Sequence, residues 1–245
     1  MAFGKGAIAG VRRSEMTSRR EKSIWRYIWI LVILLFIVSV SGTYFKEYFE
    51  RLDPEYYTRH FQMGSYYLKE GVFDLASREF QKAVKARAES VDGHYGLAIA
   101  YLRQGKLEEA SQSFEKALEI APGHPDIRYF LGNTYQRMGK LERALEEYRV
   151  LIEKGSDSSE VFNNMGMIHL KLGNRDKALQ AFKQALELKP DDYPVRFNLA
   201  NLYEAEGKIE LASNEYKFIK ENASGKPETE KFARDAAQRL AKLKK

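Results

Sequence analysis

Side chains able to catalyse a reaction or hold a metal are few in this chain, and they are badly spaced for either task. There is no cysteine, which removes disulfides, thiol nucleophiles, thiolate metal sites and a lipid anchor on cysteine. The histidines are His60, His94, His124 and His169. His60 and His94 hold the same place in adjacent segments and can approach each other. Two histidines without a carboxylate or third ligand at helical spacing make a poor metal site, so neither a metal nor a cofactor is expected. The acidic pairs Glu108-Glu109, Glu146-Glu147 and Asp191-Asp192 read as solvated charge rather than paired general acids and bases. Gly4-Lys5-Gly6 lacks the spacing and the strand-to-helix context of a phosphate loop. Asn222-Ala223-Ser224 fits a glycosylation acceptor, which matters only in a eukaryotic secretory protein. No convergent group points to an enzyme or a small-molecule substrate.

Charge excludes a second class. The chain carries +6 overall, with 30% charged and 44% hydrophobic residues, as in an ordinary helical globular protein. Residues 1–26 hold seven Lys and Arg against two acids, and residues 227–245 hold six against three. The long middle is therefore slightly acidic. A nucleic-acid groove along it is not expected.

What must position any site is a periodic array. Residues 57–226 read as five consecutive 34-residue units: 57–90, 91–124, 125–158, 159–192 and 193–226. Gly71, Gly105, Gly139, Gly173 and Gly207 share the fifteenth position. Ala76, Ala110, Ala144, Ala178 and Ala212 share the twentieth, and Phe80, Phe114, Tyr148, Phe182 and Tyr216 the twenty-fourth. Tyr67, Tyr101, Tyr135, His169 and Tyr203 form the eleventh, after small Gly64, Ala98, Gly132, Gly166 and Ala200 at the eighth. A fixed period of this length marks stacked helix pairs. Small residues let two helices approach, aromatics fill the space between pairs, and glycine ends the first helix of each unit. Pro122 and Pro190 close the second helix of their units.

This pattern resembles the tetratricopeptide repeat, over about two thirds of the chain. Unit 159–192 matches best, with His169 in place of the usual Tyr. Unit 125–158 departs most, with Leu151 where Ala is usual and Ser156 where Pro is usual. The resemblance implies an all-α superhelical solenoid of five helix pairs, used as a protein-interaction surface rather than a catalyst. It further implies that the second, fifth, ninth, twelfth and thirteenth positions of each unit line a concave groove. The fifth positions are Phe61, Tyr95, Tyr129, Asn163 and Phe197. The ninth include Ile99, Asn133, Met167 and Asn201, and the thirteenth are Lys69, Arg103, Arg137, Lys171 and Ala205. An aromatic row thus runs beside a basic row, with Asn133, Asn163 and Asn201 placed to bond a peptide backbone. The partner fitting both rows is a peptide segment with an apolar anchor and acidic residues. Exposed bases at helix ends also offset the helix dipole, which alone would account for the basic row. The family's clamp for acidic carboxyl-terminal tails needs Lys at the first unit's fifth position, where Phe61 stands.

The flanks complete the plan. Residues 1–23 read as a disordered basic tail, and 24–45 as one transmembrane helix built around 19 uncharged residues, Tyr27–Phe45. Trp25, Tyr27 and Trp29 stand at one end, with Tyr44, Phe45, Tyr48 and Phe49 at the other, as in an interfacial aromatic belt. Bases crowd before the span and mix with acids after it, placing the amino terminus in the cytoplasm and the repeats outside, in a bacterial periplasm. Ser39-Val40-Ser41 before Gly42 leaves signal-peptide cleavage as an alternative. Residues 46–56 form a linker. Residues 227–245 form a helix whose Phe232, Ala236, Leu240 and Leu243 would cap the open end of the array. The reading is a single-pass membrane scaffold of the bacterial inner membrane that holds a partner segment and assists assembly of an envelope complex. The rivals are an organelle import or docking receptor with cytosolic repeats and, disfavoured, an enzyme.

Overall fold

The computed structural model describes Trp29 and residues 55–243, except 224 and 226. The expected tail, the transmembrane helix apart from Trp29, and most of the linker lie outside the described residues. Among the described residues no helix is long and apolar enough to cross a membrane. The chain divides into two compact units at Arg59, and the packing below belongs to the second, His60–Lys245.

The fold is all-α. Its helices are α1 (Tyr56–Lys69), α2 (Phe73–Ala86), α3 (Val91–Gln104), α4 (Leu107–Ile120), α5 (Pro125–Arg137), α6 (Leu141–Glu153), α7 (Ser159–Lys171), α8 (Arg175–Leu188), α9 (Tyr193–Ala205), α10 (Ile209–Ala223) and α11 (Glu230–Leu243). From α3 to α10 each odd helix packs on the even helix that follows it, and α2, α4, α6 and α8 pack on the next pair. This makes a helical solenoid.

Sequence signals at the helix ends explain why the period holds. Ser90 caps α3 by accepting from the Gly93 amide, Ser158 does the same for α7 with Val161, and Asp192 for α9 with Val195. The glycines at the fifteenth positions have φ between 72° and 78°, the left-handed turn that closes each first helix. In the second unit the Lys106 amide then bonds the Tyr101 carbonyl at 3.0 Å, and the same bond recurs in all five units. Unit 125–158, which lacks the usual proline, ends α6 by the same device: Gly155 has φ 85° and the Ser156 amide bonds the Leu151 carbonyl at 3.0 Å.

The twenty-fourth-position aromatics pack within their own unit first. A Cβ on Gly132 would come within 2.7 Å of Tyr148 Cε1, and one on Gly166 within 2.6 Å of Phe182 Cε1. Three of the rings also reach the sixth residue of the next unit: Phe80 covers Gly96, Phe114 stacks on Phe130 at 6.1 Å, and the Tyr148 hydroxyl meets the Asn164 amide at 3.4 Å. At the far end α11 lies on α10 and buries Ala233, Ala236 and Leu240, with Phe232 and Leu243 packed alongside.

The junction α6/α7 is the sparsest of the four between successive units from α2 to α9. Leu151 is buried there, at a position where Ala83, Ala117 and Ala185 let the neighbouring units come closer.

Gly166→Ala should lower stability by about 1–3 kcal/mol in thermal or urea melts, because Phe182 must move aside. Gly123→Ala adds a methyl into open space at a turn without positive φ, and should raise stability by about 0.4–1 kcal/mol. Equal melting of the two variants would contradict this packing.

Candidate functional site: the inner face of the odd helices

A cavity of about 580 Å³ opens on the inner surface of α1, α3 and α5. Its floor is the Phe80 ring, and its walls are Phe61, Tyr95, Phe130, Leu68, Ile99 and Leu102. Arg103, Arg137, Asn133 and Asp92 stand at its rim. The cavity has a definite cause. Gly96 occupies the sixth position of its unit, where later units carry Phe130, Asn164 and Asn198. A Cβ there would lie 2.5 Å from Phe80 Cε1, so the buried Phe80 ring fills the place a side chain would take, and no longer side chain at position 96 closes the space above it.

The rings of the fifth positions all pack against neighbouring rings. Phe61 meets Phe80 edge-on at 5.7 Å, Tyr95 lies 6.0 Å from Phe114 and 5.9 Å from Phe130, and Phe197 meets Tyr216 at 5.6 Å. Tyr129 packs against Phe130 at 5.7 Å, and its hydroxyl donates to Glu160 at 3.1 Å. Burial pushes the Tyr95 phenol above its ordinary pKa, with the Asp126 carboxylate adding. Burial raises Tyr129 as well, countered by the Asn133 amide and reinforced by Glu160. These four rings thus serve the stacking core as well as the groove: each is half-buried and forms the groove edge of the core.

The asparagines are partly committed too. Asn133 Oδ1 accepts from the Tyr148 hydroxyl at 2.6 Å and from Asn164 at 3.0 Å, Asn163 Oδ1 from Asn198 at 2.9 Å, and Asn201 Oδ1 from Tyr216 at 2.7 Å. Their carbonyls bind the scaffold, so a backbone can be met only by the amide nitrogens.

Lys69, Arg103, Arg137 and Lys171 are exposed in the last turns of α1, α3, α5 and α7, and none makes an ion pair among the described residues. A second row went unread in the sequence. Asp92, Asp126 and Glu160 share the second position and are exposed in the first turns of α3, α5 and α7. Listing that column alone would have found it. A second cavity of about 570 Å³ continues the inner face towards α11, lined by Tyr129, Glu160, Asn163, Asn164, Asp191 and Phe232 among others. A third, of about 320 Å³, marks the α6/α7 junction beside Leu151, Asp126 and Glu160.

The odd helices are fixed to their partners by a clasp between the fourth and twenty-third positions. Arg128 Nη1 bonds Glu147 at 2.6 Å, Arg196 pairs with Glu215, and His60 with Glu79. The other two units carry His94 with Ser113 and Phe162 with Ala181, so the clasp skips alternate units. His60 Nδ1 faces Glu79, and His94 Nε2 lies 2.9 Å from the Ala88 carbonyl. Among the described residues no group of three or more His, Cys, Asp or Glu is placed to hold an ion. His169 is buried in its aromatic column, and burial, with Lys177 and Arg149 nearby, holds it below its ordinary pKa.

Four family profiles, each described as tetratricopeptide repeat, match residues 61–125, 102–165, 159–192 and 181–212. Among solved structures the chain is similar to a MamA protein, with 21% identity, a TM-score of 0.61, and coverage of 77% of this chain and 95% of that one. It is similar to YrrB with 20% identity, a TM-score of 0.61 and the same coverage. It is also similar to a tetratricopeptide-repeat protein of Parabacteroides merdae, with 20% identity, a TM-score of 0.66, and coverage of 76% and 74%. At these identities the likeness is one of fold. Among curated proteins none is significantly similar.

The clasps carry opposite pH signatures. Burial, more than Arg128 can offset, holds Glu147 above its ordinary value of 4.5, with Glu146 and Glu115 adding to the rise. In Glu79 burial also acts upward, but Lys82 and His60 together hold it below that value. A raised carboxyl binds more protons when folded, so its contribution is full below the unfolded pKa and is lost as pH rises through the folded one. A depressed carboxyl contributes above the unfolded pKa and loses that as pH falls through the folded one. Relative to wild type, Glu79→Gln should therefore recover stability from neutral pH to mild acid, whereas Glu147→Gln should fall further behind. Urea melts at both pH values check the sign.

Proposed function

The chain belongs to the tetratricopeptide-repeat family, and from that premise we propose that it is a non-catalytic interaction scaffold whose inner face holds a segment of a partner protein. One observation carries the reading: an aromatic-walled cavity opens on the inner helices with two arginines at its rim that make no ion pair among the described residues. Such a site favours a segment with an apolar side chain and acidic residues, since rigid rings supply contact area and exposed arginines steer a negative partner. YrrB, alike in fold, is described as having an unusual peptide-binding site. Because Tyr95 and Tyr129 also brace the core, their truncation would confuse binding with stability. Ile99 and the arginines are the cleaner probes.

A photo-crosslinking residue at Ile99 or Ser65 should capture one partner in cells, identified by mass spectrometry. The same residue at exposed Gln180 on α8 should not. Arg103→Ala with Arg137→Ala should lower the yield several-fold and flatten its dependence on salt. Equal capture from Ile99 and Gln180 would remove the inner face as the site.

We further propose that the scaffold is anchored in a bacterial inner membrane by Tyr27–Phe45, with its amino terminus cytoplasmic and its repeats periplasmic, where it assists assembly of an envelope complex. The supporting features are the uncharged run, its aromatic flanks and the excess of bases before it. A reporter active only after export, fused after Lys245, should be active, and the protein should require detergent for extraction. An inactive reporter reverses the orientation.

A further inference from the structure

We infer that the occupant of the inner face is an amphipathic helix with its charges segregated: an apolar stripe, acids along one flank and bases along the other. This rests on the inner face being the binding site and adds the form and charge pattern of the partner.

The groove has two charged edges. Asp92, Asp126 and Glu160 line one, at the starts of α3, α5 and α7, and Arg103, Arg137 and Lys171 line the other, at their ends. Between them lie the half-buried Tyr95, Phe130, Ile99 and Tyr129. Each edge residue is eleven positions from its opposite on the same helix, which at 1.5 Å per residue separates the edges by roughly 16 Å. A helix with side chains is about 10–12 Å across, so it fits between the edges with its flanking side chains in reach of both. An extended strand sends its side chains in only two opposite directions, so it cannot meet the floor and both edges together.

Helix dipoles explain the two edges unequally. Acids open the even helices α2, α4, α6, α8 and α10 as well, so the dipole accounts for much of the acidic edge. Bases close α1, α3, α5 and α7 but none closes α4, α6, α8 or α9, although Lys85 and Lys220 close α2 and α10. The basic edge is thus concentrated on the inner helices beyond what a dipole acting on every helix alike would give. No ion pair among the described residues ties down Asp92, Asp126, Arg103 or Arg137, so all four are left to face an incoming chain. Both edges are exposed, so their pull is individually weak and works through number.

The probe is a pair of fluorescein-labelled helical peptides of one composition, each with a Leu and Phe stripe. One carries Glu on one flank and Lys on the other, and its partner has the same charges mixed on both flanks. By fluorescence anisotropy the full chain in detergent should bind the segregated peptide about tenfold more tightly than the mixed one. Reversing one edge, by Arg103→Glu with Arg137→Glu, should abolish that preference. Reversing the other as well, by Asp92→Lys with Asp126→Lys, should restore it, because the helix can turn end for end. A merely structural role for these charges gives no such rescue. Equal binding of the two peptides, or no restoration, overturns the inference. If the peptides still compete with the crosslink from Ile99, the inner face stands as the site and only the charge pattern is lost. If neither peptide binds, the helical occupant is refuted, and the Ile99 crosslink decides separately whether the site itself survives.

Discussion

The structure depends on one contact repeated along the chain: a large ring at the twenty-fourth position seated on a residue without a bulky side chain at the eighth. Tyr148 against Gly132 and Phe182 against Gly166 leave no space for a single added methyl. That closeness sets the distance between the two helices of a unit. Because the same ring reaches the sixth residue of the next unit in three places, it also sets how units stack there. Burial of such rings is the main favourable term available to an array in which each unit touches only its neighbours.

The fold was legible because this contact leaves the same mark at five places. A column of Gly, Ala or aromatic residues survives an exception such as His169 or Leu151, since the neighbouring units hold the register. Even the missing proline at Ser156 did no harm, because Gly155 closes α6 with the turn used elsewhere in the chain. The clasp between the fourth and twenty-third positions was not legible. It occurs in alternate units and uses His60 in one and arginine in the others, so no single column displays it.

The groove was half legible, for a physical reason. Helical spacing fixes the direction in which a side chain leaves its helix, but not how far the core rises to meet it. Tyr95 points to the inner face as its position requires, yet Phe114 and Phe130 come up beside it and take much of its surface. The asparagine carbonyls were claimed in the same way by hydroxyls and amides from neighbouring helices. Charged residues at the helix ends escaped this, because no core lies there to claim them. Position in the unit therefore serves better for the charged edges than for the floor.

What distinguishes this array from a uniform one is where it breaks its own columns. Gly96 omits a side chain that the next unit supplies as Phe130; the buried ring of Phe80 fills that place, and a cavity opens above it. Leu151 adds bulk where alanine is the rule, and a smaller opening appears at the α6/α7 junction. One departure deletes volume and the other adds it, while the ring contacts beneath remain in place. A solenoid can be shaped in this way without loss of its fold, because each change is confined to one junction. The stacking contact supplies stability at every unit, and the exceptions to the repeat give the surface its form.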